Sequence, residues 1–201
     1  EIVFGNDSES KIGYLVRRYE GTKVLIHYGG KSAERSGLLN DICRQLDAEG
    51  ILYVKLGGVV PNPRLSKVYE GIELCRKEGV NHILAIGGGS VIDSAKAIAY
   101  GLAYDGDVWD LFDGKAEAKA CYPIGVVLTI PAAGSEMSNG CVITNEVGSR
   151  KRAYNNDLAR PKFAIMNPER TFSLSTYQTA CGIVDIMMHT MERYFSQEDD
   201  M

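Results

Sequence analysis

The 201-residue sequence lacks any apolar run of the roughly 18 residues that a membrane-spanning helix requires. It also lacks a signal-type start, because Glu1-Ile2-Val3-Phe4-Gly5 has neither a basic segment nor a long apolar one. Positive charge is not in excess: the formal net charge of −4 gives no electrostatic reason to expect a nucleic-acid partner. The five cysteines, Cys43, Cys75, Cys121, Cys141 and Cys181, are odd in number and scattered, with no pair at zinc-knuckle or redox spacing. Four lie in apolar-periodic stretches, where a free thiol behaves as a small hydrophobe. Reduced thiols and no membrane span make a cytoplasmic protein the expectation. Internal repeats and low-complexity segments are missing as well.

What is present is an alternation of short β-branched runs with amphipathic ones. Residues 8–19 read as a helix with Ile12, Leu15, Val16 and Tyr19 on one face, behind Asp7 or Ser8 as N-cap. Residues 22–28 read as a buried strand ended by Gly29-Gly30, and residues 32–49 as one helix. A strand at 51–56, a loop at 57–63, and a helix at 65–78 closed by Gly79 follow. A third strand at 82–86 leads to a helix at 91–104. That order predicts an α/β fold, a Rossmann-like parallel sheet wound with helices. Beyond Gly114 the spacing predicts a strand at 123–130, a hairpin of 141–144 with 152–154, and a last strand at 163–166 stopped by Asn167-Pro168. A long helix from Ser175 then begins a different, helical region. The expected division is an α/β domain over 1–168 and a helical segment over 169–201.

Gly87-Gly88-Gly89-Ser90 lies directly between a strand and a helix. Glycines allow close backbone approach and positive φ, and the helix start offers unpaired N–H groups and the positive end of a dipole. A pyrophosphate suits such a turn at the carboxyl end of a parallel strand. The pattern is not G-x-G-x-x-G, since Ile92 stands where the last glycine would be. Asp93, in the first helical turn, is positioned to cap the helix or to bond a ligand hydroxyl.

On the last helix Asp185 and His189 are four apart and share a face, so an oxygen and a nitrogen donor can reach one divalent cation. Their neighbours Gly182, Ile183, Val184, Met187 and Met188 are apolar, a setting in which an unpaired carboxylate is costly. The remaining histidines, His27 within a strand and His82 at the start of one, read as structural. No side chain reads as a dedicated general base.

The segments Gly29-Gly30-Lys31-Ser32, Pro61-Asn62-Pro63, 87–96 (GGGSVIDSAK), 129–137 (TIPAAGSEM) and 185–192 (DIMMHTME) together resemble the iron-containing (group III) alcohol dehydrogenases, most closely the butanol dehydrogenase and broad-range aldehyde reductase branch. The resemblance runs in order from Val3 to Ser196, and implies that 1–168 form a dinucleotide-binding domain and 169–201 the first helix of an all-α metal-binding domain. It implies a metal-dependent NAD(P)-linked oxidoreductase of small primary alcohols and aldehydes, with Fe²⁺ (or Zn²⁺) held by one aspartate and three histidines. Asp185 and His189 match the first two ligands; the other two would lie further on, so the resemblance implies a C-terminally truncated member, inactive alone, of a homodimeric enzyme. It also implies cofactor contacts at Gly29, Gly30, Ser32, Asn62, Gly88, Gly89, Ser90 and Asp93. Thr129 and Ser138 match positions near the nicotinamide half, and Lys151 a lysine near a ribose. Ala133 departs from the threonine usual in the related reductases, which puts one hydrogen bond in doubt.

Both NADP and NAD remain open. At the turn that the resemblance sets beside the adenosine ribose stands Gly30 and not an acid, with Lys31 and Ser32 beside it, a composition that favours NADP(H). Two other readings also remain: a non-catalytic dinucleotide-binding module, and a relative of the glycerol-dehydrogenase or dehydroquinate-synthase kind.

Overall fold

The computed structural model describes residues 1–196. Six parallel strands form one sheet: β1 (Ile2–Phe4), β2 (Lys23–Tyr28), β3 (Leu52–Leu56), β4 (His82–Gly87), β5 (Ile124–Leu128) and β8 (Phe163–Met166), in the order β1-β8-β5-β4-β2-β3. β6 (Gly140–Asn145) and β7 (Arg150–Asn155) form a separate antiparallel hairpin, with Cys141 opposite Tyr154 and Thr144 opposite Lys151. The helices are α1 (Ile12–Arg18), α2 (Ser32–Arg35), α3 (Leu38–Ala48), α4 (Leu65–Glu78), α5 (Gly89–Ala103), α6 (Trp109–Phe112) and α7 (Thr176–Phe195).

Strand residues alternate between the two faces of the sheet, as a pleat of period 2 requires. Leu25, Ile83, Ala85 and Val126 pack with α4 and α5 on one face. Val24, Ile26, Leu84, Ile86 and Val127 pack with α1 and α3 on the other. The expected parallel sheet wound with helices is therefore what the chain forms. His27 is buried and ties three elements together: Nδ1–H donates to the Leu56 carbonyl at 3.0 Å, and Nε2 accepts from Ser94 Oγ at 2.9 Å. His82 is buried against Phe163, with ring centroids 5.9 Å apart. Both histidines are far from Asp185 in sequence and packed inside the sheet domain, consistent with structural roles.

Several local expectations need correcting. The first helix is not continuous from residue 8: a 3-10 turn over Ser8–Lys11 precedes α1, and neither Asp7 nor Ser8 gives a side-chain cap. The helix expected over 32–49 breaks at Gly37, whose φ of +78° is cheap only for glycine. The pattern of the sequence gives no sign of β1. At three residues, it is too short for period-2 alternation to register, and its pairing with β8 defines it. By contrast α4 begins and ends where expected, with Gly79 at φ +66° as its left-handed cap.

Candidate functional site

The strand order reverses between β2 and β4. From β2 the chain moves to β3 at one edge, and from β4 it moves to β5 on the opposite side. Open parallel sheets have their ligand crevice at such a point, outside the carboxyl ends of the strands. Three turns converge there: Gly29-Gly30 after β2, Gly57-Gly58-Val59 after β3, and Gly87–Ser90 after β4. The Gly58 N–H donates to the Gly29 carbonyl at 2.8 Å, and a Cβ on Gly29 would lie 3.6 Å from both the Val59 carbonyl oxygen and Val91 Cγ2.

The glycines of the 87–89 turn serve close approach and not positive φ, which corrects half of the argument from sequence. None of the three has φ above zero. A Cβ on Gly88 would meet Ile130 Cγ2 at 2.4 Å, and one on Gly89 would meet the Ala133 Cβ at 3.1 Å. The loop after β5 thus presses directly on the turn. Gly88 caps α5, and the Val91 and Ile92 N–H groups both bond its carbonyl, at 3.0 and 3.2 Å.

A cleft of about 330 Å³ opens on this turn, lined by Asn62, Pro63, Gly89, Ser90, Asp93, Ala132, Ala133, Val142 and Lys151. Five of the residues singled out from sequence meet in it: Asn62, Gly89, Ser90, Asp93 and Lys151. Lys151 Nζ donates to Asn62 Oδ1 at 2.8 Å, closing one rim of the cleft. Asn62 holds φ at +58°, a conformation that asparagine tolerates better than other side chains and that often marks a functional loop. The structure does not bring the others into this cleft. Gly29, Gly30 and Ser32 lie at the neighbouring turn, where a Cβ on Gly30 would meet nothing within 4 Å. The sequence reading missed an acid there, Glu34, whose carboxylate accepts from the Tyr28 hydroxyl at 3.0 Å. Thr129 is half-buried and its N–H donates to the Gly87 carbonyl at 3.1 Å. Ser138 directs both its carbonyl and its hydroxyl oxygen at Lys96.

Asp93 does not cap α5. Its Oδ1 accepts from Ser135 Oγ at 2.6 Å and its Oδ2 from the Val142 N–H at 3.0 Å, so it ties helix, loop and hairpin together beneath the cleft. Burial raises its pKa, against the lowering effect of those two bonds. Lys96 and Ser135 belong to the same buried network and were not singled out from sequence. The available signal was a lone lysine three residues after Asp93 on an otherwise apolar helix.

A second cavity, of about 450 Å³, adjoins the first and shares Ala132 with it. Its walls include Ile130, Pro131, Thr171, Cys181, Gly182 and Asp185, so it lies between the loop after β5 and α7. Asp185 Oδ2 and His189 Nε2 are 3.6 Å apart on one face of that helix. An oxygen and an imidazole nitrogen suit Fe²⁺ or Zn²⁺, but no group of three His, Cys, Asp or Glu side chains able to hold a metal occurs among the described residues. The apolar surroundings expected for this pair are not formed here either. The side chains of Asp185 and His189 are 58% and 68% exposed, and Ile183, Val184, Met187 and Met188 are exposed with them.

Fold, switch-point turns and cleft define the class: a Rossmann-like α/β domain followed by a helix. The sequence profile of the iron-containing alcohol dehydrogenases matches residues 1–168, and the chain belongs to that family. It is 44% identical over 195 residues to the probable NADH-dependent butanol dehydrogenase 2 of Bacillus subtilis, covering 97% of this chain and 50% of that protein. It is 37% identical over 182 residues to the NADPH-dependent aldehyde reductase YqhD of Escherichia coli, covering 89% and 46%. The crystal structure of NADH-dependent butanol dehydrogenase A from Thermotoga maritima superposes with a TM-score of 0.93 at 44% identity, over 97% of this chain and 49% of that one. The chain spans about half the length of the curated relatives it matches. Among the described residues no helix is long and apolar enough to cross a membrane.

Proposed function

We propose that this chain carries the cofactor-binding part of a metal-dependent, NAD(P)-linked oxidoreductase that interconverts small primary alcohols and aldehydes. The observation that carries this reading is the adjacency of the two cavities. The cleft on the glycine turn and the cavity bearing Asp185 share Ala132, so a dinucleotide in the first would lie beside a cation that Asp185 would help to hold in the second. The family match over 1–168 supports a division into a dinucleotide-binding domain and, over 169–196 of the described residues, the start of a helical metal-binding one. Residues 197–201 of that second segment lie outside the described residues.

In this reading Gly88 and Gly89 let the pyrophosphate reach the first turn of α5, whose free N–H groups favour an anion. Ser90, Asn62 and Lys151 contact the cofactor at the rim, with Thr129 and Ser138 on the nicotinamide side and Gly29, Gly30 and Ser32 beside the adenosine. Asp185 and His189 hold the cation as two of its ligands. When bound, the nicotinamide supplies hydride chemistry and a divalent metal stabilises charge on the reacting oxygen. Gly30 leaves room for a 2′-phosphate, and Lys31 and Ser32 are exposed beside it. NADPH is therefore accommodated as well as NADH, in keeping with relatives named for each. The five free cysteines fit a reducing cytoplasm, and a homodimer is the assembly proposed for the whole protein.

The test is turnover of butanal and 1-butanol by the whole gene product with each cofactor. Activity that is lost on chelation and restored by Fe²⁺ or Zn²⁺ supports the reading. No turnover of any small alcohol or aldehyde under those conditions contradicts it.

A further inference from the structure

Lys96 lies on α5, three residues after Asp93, with none of its surface exposed. Its Nζ donates to the carbonyl oxygens of Ser135, Ser138 and Gly140 at 2.7, 2.9 and 2.8 Å. The hydroxyl oxygens of Ser135 and Ser138 stand 3.1 and 3.3 Å away. An ammonium has three N–H bonds, so the three carbonyls account for all of them and the hydroxyls complete a cage of oxygens. Taking an ammonium out of water is expensive unless it is both paired and hydrogen-bonded. Here the pairing is indirect: Ser135 Oγ stands between Lys96 and Asp93, donating to Asp93 Oδ1 at 2.6 Å. Burial lowers the Lys96 pKa and raises that of Asp93, and their mutual attraction opposes both shifts.

Two of the three carbonyls, of Ser135 and Ser138, come from the stretch between β5 and β6 that has no helix or strand, and the third, of Gly140, is at the first residue of β6 where that stretch ends. Its own backbone bonds are few; the Gly134 carbonyl accepts from the Met137 and Ser138 N–H groups. The same stretch supplies Ala132 and Ala133 to the cleft and presses Ile130 and Ala133 on Gly88 and Gly89. Arg160 bonds the Met137 carbonyl and Asn156 and Asp157 bond Asn139 at the loop's outer side, and the cation at its centre gathers the remaining carbonyls.

We propose that Lys96 is a positioning residue for the dinucleotide, a tethered cation whose oxygen cage shapes the 130–140 wall of the cofactor cleft. The proposal rests on the cofactor reading given above. An apolar side chain of similar length would fill the space but leave three carbonyls unpaired. Those carbonyls would turn toward water and carry the wall with them.

In the chain carrying Lys96→Ala the cage becomes a cavity of carbonyl oxygens that a free methylammonium ion can enter. Fluorescence titration is expected to show NADH and NADPH bound at least about tenfold more weakly than by the parent chain. Methylammonium chloride is expected to recover at least roughly threefold of that loss, and the bulkier tetramethylammonium none at equal ionic strength. Lys96→Met, which fills the cavity, loses affinity without rescue, and faster hydrogen exchange is confined to residues 129–142. Affinity within about twofold of the parent in Lys96→Met, or equal rescue by both cations, overturns the proposal. If neither Lys96 variant folds, Ser135→Ala decides, because it keeps the ammonium and the carbonyls but removes the link to Asp93. It should weaken binding roughly threefold or more while the chain stays folded at the assay temperature, and an unchanged Kd overturns the proposal. A parent chain that binds neither dinucleotide overturns the cofactor reading and this proposal with it. A parent that binds, alongside variants that bind equally well, overturns this proposal alone.

Discussion

Asp93 and Asp185 are both aspartates on helices beside a cavity, yet their surroundings are opposite. Both oxygens of Asp93 accept hydrogen bonds, from Ser135 in the loop after β5 and from Val142 in β6, and burial raises its pKa. Asp185 is 58% exposed, and among the described residues its ion-pair partner is His189, one turn along the same helix. The first is held from three elements at once, its own helix α5, the loop after β5 and the strand β6. The second lies on α7, all of whose residues are exposed or, at Gly182, half-exposed. A site held by many elements can be shaped by the fold before any ligand arrives. A site on one exposed helix has donors but no shape until something else packs on it.

Local stability is the largest expected contrast. Amides in β4 and α5 should exchange at least about a thousandfold more slowly than those in the middle of α7, because α7 has almost no apolar packing to oppose local opening. Equal protection in the two helices would erase the comparison.

Acid should act on the first part through its two buried histidines. Burial pushes the pKa of His27 and of His82 from an ordinary 6.5 down to about 4. The unfolded chain therefore takes up protons that the folded one refuses. Stability is full above about pH 6.5 and is lost as pH falls toward about 4, by on the order of 3 kcal/mol per histidine. Urea midpoints measured across that range check this, and a flat profile would show that the two rings are not buried as neutral groups.

Metal binding should respond to the second part alone. With two donors the chain should bind Zn²⁺ weakly, and Asp185→Asn or His189→Ala should weaken it further by at least roughly tenfold. Dinucleotide affinity should stay within about twofold in the same variants, since neither residue lines the cleft on the glycine turn. A parallel loss of both affinities would join the two parts more tightly than their geometry does.

The smallest effect is expected at Gly30. A Cβ there meets nothing within 4 Å, so Gly30→Asp should be tolerated and should repel a 2′-phosphate. The ratio of NADH to NADPH affinity should rise by roughly fivefold at low salt. An unchanged ratio would place the 2′-position elsewhere, for instance beside Glu34.

How much could be read from the sequence follows the same division. Strong periodicity and punctuation made α4 and its Gly79 cap legible, as well as the hairpin, because those signals are local. β1 was not, since three residues acquire strand character only by pairing with β8, more than 150 positions away. The meeting of Asn62 with Lys151 was expected only through resemblance; no spacing argument links positions 62 and 151. The turn at 87–89 was legible as a site, but its glycines are needed for contact with Ile130 and Ala133 and not for their φ. The Lys96 cage was half-legible: a lysine on an apolar helix face can be seen, but carbonyls that fold around it from 39 to 44 residues away cannot.

The claim on which the rest depends is that the cleft on the glycine turn holds a nicotinamide dinucleotide. Calorimetric titration of NADH and NADPH into the parent chain and into Gly89→Val tests it. A valine there would start 3.1 Å from the Ala133 Cβ and push two methyl groups into the cleft. The account predicts that the parent binds and that Gly89→Val binds at least about a hundredfold more weakly. A parent chain without affinity for either cofactor, or a Gly89→Val chain that matches it, would contradict the account.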